Sequence, residues 1–208
     1  MTKEKILFFD CETSGFIKKS LSYDDPNQAW LVQIGAILTS GNDHIDEINM
    51  FIHPTQKKGM HHSNREIHYS AQQVHGFDKD YLIKHGVYEL EVAENFGQLL
   101  AQADKIVCHN LMFDWQYVYQ LMQRNIDDLS DNARAAFYVD RPSFCTMKDK
   151  NIIKFCNLKN KNNRPKWPKL TELHEILFGE SFENSHDAFA DIEATKNCYF
   201  ELVKRGII

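Results

Sequence analysis

Short apolar runs and one imperfect apolar–polar alternation predict the strands of a sheet. Residues 5–10 (KILFFD) are apolar up to a final acid, as expected for a short buried strand. Residues 31–39 (LVQIGAILT) form a second run, and residues 44–54 (HIDEINMFIHP) alternate. The turn residues SGND separate these two segments, which predicts a β-hairpin. Residues 105–110 (KIVCHN) and 143–147 (SFCTM) are candidates for two brief further strands.

Apolar residues at helical spacing predict the helices. Residues 169–179 (KLTELHEILFG) predict a short helix that ends at Gly179, and residues 186–206 predict the longest helix. Residues 16–30 and 53–85 show little periodicity, so we predict a loop and a loose polar connection. Two further sets follow the i, i+4, i+7 spacing of an amphipathic helix: they are Val92, Phe96, Leu99 and Leu100, and then Leu111, Trp115, Val118 and Met122.

The order of the elements predicts the fold class. Three strands are followed by a helix, a strand, a helix, a strand and then further helices. This order is typical of an α/β fold in which a mixed five-stranded sheet is flanked by helices. No repeat, low-complexity tract or linker divides the 208 residues, a length that one core can serve. We therefore predict a single domain over residues 1–208.

Composition and cysteine usage predict a cytoplasmic location. Apolar residues at 43 % and charged residues at 25 % are ordinary values for a globular protein. No apolar run approaches the roughly 20 residues of a membrane span, and the run ILFF before Asp10 is too short for a signal peptide. The cysteines are odd in number and never form CxxC, which argues against disulfides or a zinc ribbon: they are Cys11, Cys108, Cys145, Cys156 and Cys198.

The charge is distributed unevenly along the chain. The net charge is −5, but residues 148–169 contain eight basic residues and one acid, which leaves −12 for the rest. A basic segment on an acidic body suits a protein that binds a short stretch of nucleic-acid backbone. A solvated lysine-rich loop explains the same charges, and the two interpretations stay open.

Two carboxylates follow the first predicted strand. Asp10 and Glu12 are two residues apart, so on a strand they point to the same face and can meet one cation. Acids at the end of an apolar strand are unfavourable unless a positive group joins them. By itself this pair is a weak signal, and the residues that follow strengthen it. Gly15 permits a tight turn, and Phe16 offers an aromatic platform for a terminal base.

Further acids and a histidine occur at predicted helix starts. Asp114 lies in the first turn of a helix, after a turn that contains His109 and Asn110. Five residues on a helix subtend about 500°, which places His186 and Asp191 roughly 140° apart around the axis. They can face one site only if His186 lies at or before the helix start. Ser185 is a suitable N-cap and would place His186 in the first turn.

Three motifs together resemble a known family. FFDCETSGF, HNxxFD and HDAxxDxEAT, in this order, are similar to the motifs of the DnaQ-like 3′→5′ exonucleases of the ribonuclease H-like superfamily. The histidine of the third motif assigns the chain to the DEDDh group. The segment WPKLTELHEILFG and the tripeptide CTM also resemble this family, so the similarity extends from about Ile6 to Thr195. Cys11 and Ser14 depart from the commonest first motif, in which threonines are frequent.

The resemblance implies a metal-dependent site. Asp10, Glu12 and Asp191 would share one Mg²⁺, Asp10 would bridge to a second, and Asp114 would bind through water. His186 would act as general base toward the attacking water, and Mn²⁺ would substitute for Mg²⁺. The residues that the resemblance implies for substrate binding are Thr13, Gly15, Phe16, His109, Asn110 and Phe113.

The implied activity is hydrolysis of nucleic acid from a free 3′ end to nucleoside 5′-monophosphates, with single-stranded DNA favoured. An RNA-trimming exoribonuclease of the same family and an inactive nucleic-acid-binding relative are the alternatives. No residue type here predicts recognition of the 2′-hydroxyl. Several proteins of the family are dimers, and the sequence leaves a homodimer open. No membrane partner is expected.

Two other classes of protein are less well supported by the sequence. A phosphate-transfer NTPase is poorly supported because neither GxxxxGK[ST] nor GxGxxG is present. A transition-metal protein would use the histidines between His53 and His85, but none forms HExxH or a convincing HxxxH pair on a helix. These histidines include His61, His62, His68 and His75.

Overall fold

A five-stranded mixed sheet forms the centre of the computed structural model, which describes residues 3–23, 25, 27–55, 65–183 and 185–208. The strand order is β3-β2-β1-β4-β5. β2 pairs antiparallel with β1 and β3, whereas β4 pairs parallel with β1 and β5, as the predicted mixed sheet requires. The strands are β1 (Lys5–Thr13), β2 (Leu31–Ser40), β3 (Asp43–Phe51), β4 (Lys105–Cys108) and β5 (Ser143–Cys145).

Eight helices occur within the described residues. The four with the clearest apolar periodicity, α3, α4, α7 and α8, were predicted from the sequence. None of the eight is long and apolar enough to cross a membrane. They are α1 (Tyr69–His75), α2 (Lys79–His85), α3 (Glu89–Gln102), α4 (Leu111–Asn125), α5 (Asp131–Tyr138), α6 (Lys150–Cys156), α7 (Leu170–Phe178) and α8 (Ala188–Lys204).

The loose connection predicted over residues 53–85 is wrong for its second half, which forms α1 and α2. Each of these helices has only seven residues, too few for a clear apolar period, and is stabilised by its ends. The Asp78 side chain accepts from Tyr81 N at 2.7 Å at the start of α2. His61 and His62 lie outside the described residues.

β1 has two faces that meet different layers. One face belongs to the larger core beneath α3, α4 and α5. On the other face Ile6 and Phe8 meet α8, with the rings of Phe8 and Tyr199 5.5 Å apart. Asp10 and Glu12 continue this second face, because side chains on a strand alternate with a period of two. The acids therefore lie on the side of the sheet that α8 covers.

Close packing of α8 on the sheet depends on Gly35. This residue of β2 pairs with Asp10 of β1. A Cβ at Gly35 would lie 3.0 Å from the carbonyl oxygen of Ala188 and 3.2 Å from Cδ1 of Ile192. The missing side chain lets the first turns of α8 approach the strand that carries Asp10.

The predicted loop over residues 16–30 contains no helix or strand in its described part. It is closed at its base, where Ser14 N donates to Trp30 O and Trp30 N donates to Ser14 Oγ, both at 2.9 Å. That residues 1–208 form one domain stays a prediction.

Candidate active site

A cleft of about 720 Å³ lies where β1 and β4 end and α4 and α8 begin. The three motifs meet in it, although they are separated by up to 180 residues of chain. The structure brings together all eleven residues that the sequence suggested, and their roles stay predictions. These residues are Asp10, Glu12, Thr13, Gly15, Phe16, His109, Asn110, Phe113, Asp114, His186 and Asp191.

The acids form two groups. Oxygens of Asp10 and Asp114 lie within 4.8 Å of each other and of the Cys108 sulfur, and Glu12, Asp191 and His186 form a second group within the same distance. Cys108 Sγ donates to Asp114 Oδ2 at 3.1 Å. That Asp10, Glu12 and Asp191 share one ion stays a prediction, and the charges of Glu12 and Asp191 do act on Asp10.

Burial disfavours the ionised form of these carboxyl groups. It raises the pKa of Glu12 to about 8, of Asp114 to about 7 and of Asp191 to about 6. The pKa of Asp10 lies well above its ordinary value, first because of burial and then because of the charges of Asp114, Asp191 and Glu12. Four such acids in one cleft favour a bound cation that would compensate their charge.

The donor atoms fit a hard divalent cation. Asp191 Oδ2 accepts from the backbone N of His186 at 3.3 Å. Asp191 Oδ1 is buried and has no hydrogen-bond partner among the described residues. A buried carboxylate oxygen without a donor is unfavourable in a folded protein unless an ion or water binds it. Mg²⁺ prefers carboxylate oxygens, so the cluster is a candidate magnesium site.

Without metal, the protein is expected to lose thermal stability as the pH rises from about 4 to about 8. In the unfolded chain these carboxyl groups ionise near pH 4. In the folded state the pKa values of Asp191, Asp114 and Glu12 are about 6, 7 and 8. The folded state therefore holds more protons in this window, and its stability decreases as they are lost. Thermal denaturation in EDTA across this range measures the decrease.

Saturating Mg²⁺ is expected to raise Tm by about 5–10 °C at pH 8 and by less at pH 6. One ion at about 100 times its Kd adds ~2.7 kcal/mol, and each kcal/mol shifts Tm by about 2–4 °C at this size. At pH 6 protons compete with the ion. The variant Glu193→Gln should show the same Tm shifts as the parent protein, because Glu193 is exposed on α8 two residues after Asp191. Equal shifts at both pH values would contradict the assignment.

His186 lies before α8 and not in its first turn. Asp187, not the predicted Ser185, is the N-cap: its Oδ1 accepts from Phe189 N at 3.0 Å and from Ala190 N at 3.1 Å. Aspartate and serine are both favourable N-caps, so local sequence could not separate them. His186 has a left-handed backbone with φ 74°. This position satisfies the condition under which His186 and Asp191 face one site.

Gln33 is a residue of the site region that the sequence analysis missed. Its side chain is fully buried in β2, opposite Glu12. Its Oε1 accepts from Ala188 N at 3.2 Å, and its Nε2 donates to Asp187 Oδ2 at 3.3 Å. The only signal in the sequence is a glutamine within an apolar strand. Gln33 thus ties the start of α8 to the strand beside the acids.

Gln33→Leu is expected to lower kcat about 10- to 100-fold and Tm by roughly 5 °C. The amide N–H of Ala188 would lose its partner, and the start of α8 would be held less firmly. Asn125→Leu, which removes another buried amide at the far end of α4, is the control and should lower Tm only. Equal kcat in both variants would mean that Gln33 has only a structural role.

α1 also contributes to the cleft, which the sequence did not predict. Val74 and His75 line it, together with Met147, Lys169 and Phe182. Burial lowers the pKa of His75, and the nearby His186 acts in the same direction. Within the described part of residues 53–85, no three potential ligands approach one another closely enough to hold a metal. The structure therefore offers no support there for a transition-metal site.

The basic segment over residues 148–169 is not a uniform solvated loop. It contains α6, and Lys169 lines the cleft. Lys166 Nζ is 2.5 Å from Glu172 Oε1, and Lys148 lies over the ring of Trp167 at 5.2 Å. Part of the segment therefore serves internal contacts.

The comparison with protein families settles the class of protein. The model of the exonuclease family RNase_T matches residues 7–199. The chain belongs to this exonuclease family. The resemblance to DnaQ-like, ribonuclease H-like exonucleases is thereby confirmed, and the protein is a nuclease by family. No curated protein sequence matches this exonuclease-family chain.

Solved structures similar to this exonuclease-family chain confirm its fold. E. coli exonuclease I in complex with a dT13 oligonucleotide has a TM-score of 0.74 at 19 % identity, covering 98 % of this chain and 42 % of that one. The zinc-bound E. coli exonuclease I–ssDNA complex gives 0.71 at 19 %, covering 98 % and 41 %. Exonuclease I from Methylocaldum szegediense gives 0.69 at 16 %, covering 97 % and 41 %.

These likenesses extend to the ribonuclease H-like fold and no further, because the identities are low. The chain spans about 42 % of the length of the exonuclease I chain that it matches. None of the comparisons supports the homodimer that the sequence left open.

Proposed function

We propose that this protein is a metal-dependent 3′→5′ exonuclease that releases nucleoside 5′-monophosphates, with single-stranded DNA as the favoured substrate. The observation that carries the proposal is the convergence of four buried or half-buried acids with His186 in one cleft, in a chain of the exonuclease family. All members of the motif set are present, which favours an active enzyme over an inactive binding relative.

The acids have the role of holding the metal. Asp10, Glu12, Asp114 and Asp191 supply oxygen ligands, and their raised pKa values are consistent with a site built to be compensated by cations. When bound, a pair of Mg²⁺ ions would compensate the charge that develops on the attacking and leaving oxygens. Gly35 and Gln33 maintain the approach of Asp191 to Asp10 by fixing the start of α8.

His186 has the role of general base. Its side chain is exposed at the cleft, and its backbone is held by the bond to Asp191. An imidazole nitrogen there accepts the proton of the attacking water, a task that suits histidine near neutral pH. His186 has a left-handed backbone, and one of its ring nitrogens lies within 4.8 Å of carboxylate oxygens of Glu12 and Asp191.

The remaining predicted residues have the role of binding the terminal nucleotide. Phe16 is 77 % exposed, and its ring is 6.1 Å from that of Phe113, so the two offer apolar faces to a base. Thr13 Oγ1 donates to Gly15 O at 3.2 Å and supports the turn beneath Phe16. His109 Nδ1 lies 2.9 Å from Thr146 Oγ1, and Asn110 has a left-handed φ of 73°. Both residues thereby shape the turn before α4.

Support for DNA as substrate comes from the similar structures. One E. coli exonuclease I complex contains a dT13 oligonucleotide, and another contains single-stranded DNA. RNA remains the alternative substrate. All five cysteines are free, which supports a reducing compartment, and we place the protein in the cytoplasm.

The test is degradation of 5′-labelled single-stranded DNA, duplex DNA and RNA of matched sequence, with Mg²⁺ and with EDTA. The expected result is a ladder that shortens from the 3′ end, nucleoside 5′-monophosphate as product, and the highest rate on single-stranded DNA. A substrate blocked by a 3′-terminal phosphorothioate is the control. Cleavage that starts internally or at the 5′ end, or that proceeds in EDTA, would contradict the proposal.

A further inference from the structure

Two further hollows lie next to the active-site cleft, and the more distant one lies against α4. The cleft shares Gly15 and Phe16 with a hollow of about 450 Å³, and that hollow shares Ile17 and Lys18 with a third of about 670 Å³. The three hollows therefore adjoin one another through residues 15–18, and the third lies against α4. We call the third hollow the lateral groove; its lining includes Ile17, Lys18, Lys19, Tyr23, Gln116 and Gln123.

The loop that forms one wall of this groove is internally ordered by Gln28. The Gln28 side chain is buried, with 3 % exposure. Its Oε1 accepts from Lys18 N at 2.8 Å, and its Nε2 donates to Lys18 O at 2.9 Å and to Leu21 O at 3.3 Å. These bonds hold the backbone that presents Lys18 and Lys19, so a ligand would meet a preformed surface.

The same loop is fastened to α4 at both ends. Near the cleft, Tyr117 Oη donates to Gly15 O. At the other end, Tyr23 O accepts from Gln120 Nε2 at 3.3 Å and from Arg124 Nη1 at 2.8 Å. The wall thus follows the helix from Tyr117 to Arg124, a length of about 10 Å.

The groove presents two kinds of side chain that commonly bind single-stranded nucleic acid, namely lysines and exposed aromatic rings. Lys18 and Lys19 are exposed, and neither has an ion pair within the described residues. At the far end the rings of Tyr23 and Tyr119 are 5.8 Å apart and are 40 % and 38 % exposed. Lysines with exposed aromatic rings provide phosphate contacts and stacking surfaces, independent of base sequence.

Two acids near this loop, within the part of the chain that the structure describes, already have partners other than Lys18 and Lys19. Asp25 Oδ1 accepts from Asn27 N at 2.8 Å and from Asn27 Nδ2 at 3.2 Å, within the loop. Glu66, which lines the second hollow, is 3.5 Å from Lys79 Nζ.

We propose that the unpaired strand upstream of the 3′ end lies in the lateral groove, with phosphates against Lys18 and Lys19 and a base on the Tyr23–Tyr119 pair. This inference rests on the proposed function and deepens it, because it specifies where a single-stranded substrate leaves the cleft. On a chain of net charge −5, two lysines beside the cleft provide local attraction for a polyanion.

The lysine-rich segment is the competing location, and its geometry is less favourable. The hollow beside Lys150, Lys154 and Lys159 shares no lining residue with the cleft. Lys166 is already paired with Glu172. A strand bound in that hollow would share no lining residue with the cleft, and of the eight basic residues of the segment Lys169 alone lines the cleft itself.

The test is the salt dependence of binding to fluorescein-labelled single-stranded DNA, measured by anisotropy on an Asp10→Asn background that does not degrade the probe. Lys18→Ala/Lys19→Ala is expected to reduce the slope of log Kd against log salt by about 1.4, at roughly 0.7 for each phosphate contact. Lys3→Ala/Lys204→Ala is the charge-matched control, since both lysines lie at the opposite end of β1 or α8 and pair with surface acids.

The rival location and the stacking surface are tested in the same assay. Lys159→Ala/Lys161→Ala should leave the slope at its wild-type value. Tyr23→Ala should weaken binding about 5-fold or more, whereas Tyr23→Phe, which keeps the ring, should bind as tightly as the parent protein. A reduced slope in Lys159→Ala/Lys161→Ala together with an unchanged slope in Lys18→Ala/Lys19→Ala would overturn the inference.

Kinetics on the otherwise wild-type protein separate this inference from the proposed function. The parent should have a lower KM for a single strand of about ten nucleotides than for a dinucleotide, and Lys18→Ala/Lys19→Ala should move the ratio of the two KM values toward one. If the parent degrades neither substrate, the proposed function fails. If it degrades both and the ratio is the same in the variant, only the lateral groove is refuted.

Discussion

Asp10→Asn is expected to reduce nuclease activity by roughly 10⁴-fold or more and to raise the Tm of the metal-free protein. Asp10 faces the charges of Asp114, Asp191 and Glu12, and under the proposed function its loss removes a ligand that the cluster needs to hold cations. Charge compensation by bound metal contributes several kcal/mol to the transition state, and about 1.4 kcal/mol corresponds to tenfold in rate. Activity on single-stranded DNA is measured at saturating Mg²⁺.

The gain in stability has the same physical origin as the loss of activity. Burial and like charges raise the pKa of Asp10 well above its ordinary value, so its ionised form opposes folding at neutral pH when no cation is bound. The amide of asparagine has nearly the same shape without the charge. We expect a Tm increase of a few degrees in EDTA at pH 8, at about 2–4 °C per kcal/mol, and little further increase when Mg²⁺ is added.

Opposite signs for activity and Tm distinguish this result from simple unfolding. A misfolded variant would lose both. Glu193→Gln, on the exposed face of α8, should keep the parent's activity and its Tm shift with Mg²⁺. Activity above about one tenth of the parent's rate in Asp10→Asn would argue strongly against the acidic cluster as the metal site.

His186→Asn is expected to lower kcat by about 10²–10⁴-fold while the Tm shift with Mg²⁺ is retained. The loss corresponds to removal of a positioned general base. Asparagine is the appropriate replacement because it tolerates the left-handed backbone of His186, with φ 74°, so the start of α8 is preserved. Single-turnover rates and Mg²⁺-dependent Tm are measured on the same preparations.

Two further variants make the test specific for proton transfer. His186→Gly leaves space beside Glu12 and Asp191, and added imidazole should restore part of its rate. His44→Asn, at an exposed position of β3, should behave as the parent protein. A wild-type rate in His186→Asn would remove the histidine from the mechanism, whereas a lost Tm shift would indicate that it acts as a metal ligand.

The sheet and the long helices could be predicted because their signals are local. The apolar run before Asp10, the turn between β2 and β3 and the helical spacing of α3 and α4 each lie within a few turns of chain. The four helices that were missed, α1, α2, α5 and α6, have only seven or eight residues. Segments of this length carry almost no periodic signal, and their stability depends on caps and on packing against the rest of the fold.

The acids and the histidine of the site could be identified from motifs, but their supports could not. Asp187, not the predicted Ser185, is the N-cap of α8, and this helix start is held by hydrogen bonds with Gln33, which is more than 150 residues away in the chain. His75 enters the cleft only because α1 folds against it. For Gln33 and His75, no pattern among the neighbouring residues in the sequence predicts that they lie at the site.

The sequence by itself determined the order of the elements, the exonuclease family and the residue types that can hold metal, because each of these depends on short local patterns and on their order along the chain. Only the tertiary structure decided which acids lie together, namely Asp10 with Asp114 and Glu12 with Asp191. It also decided how far burial raises their pKa values and that a groove leads away along α4. Burial, repulsion between charges and the continuity of a surface act through space between segments distant in sequence.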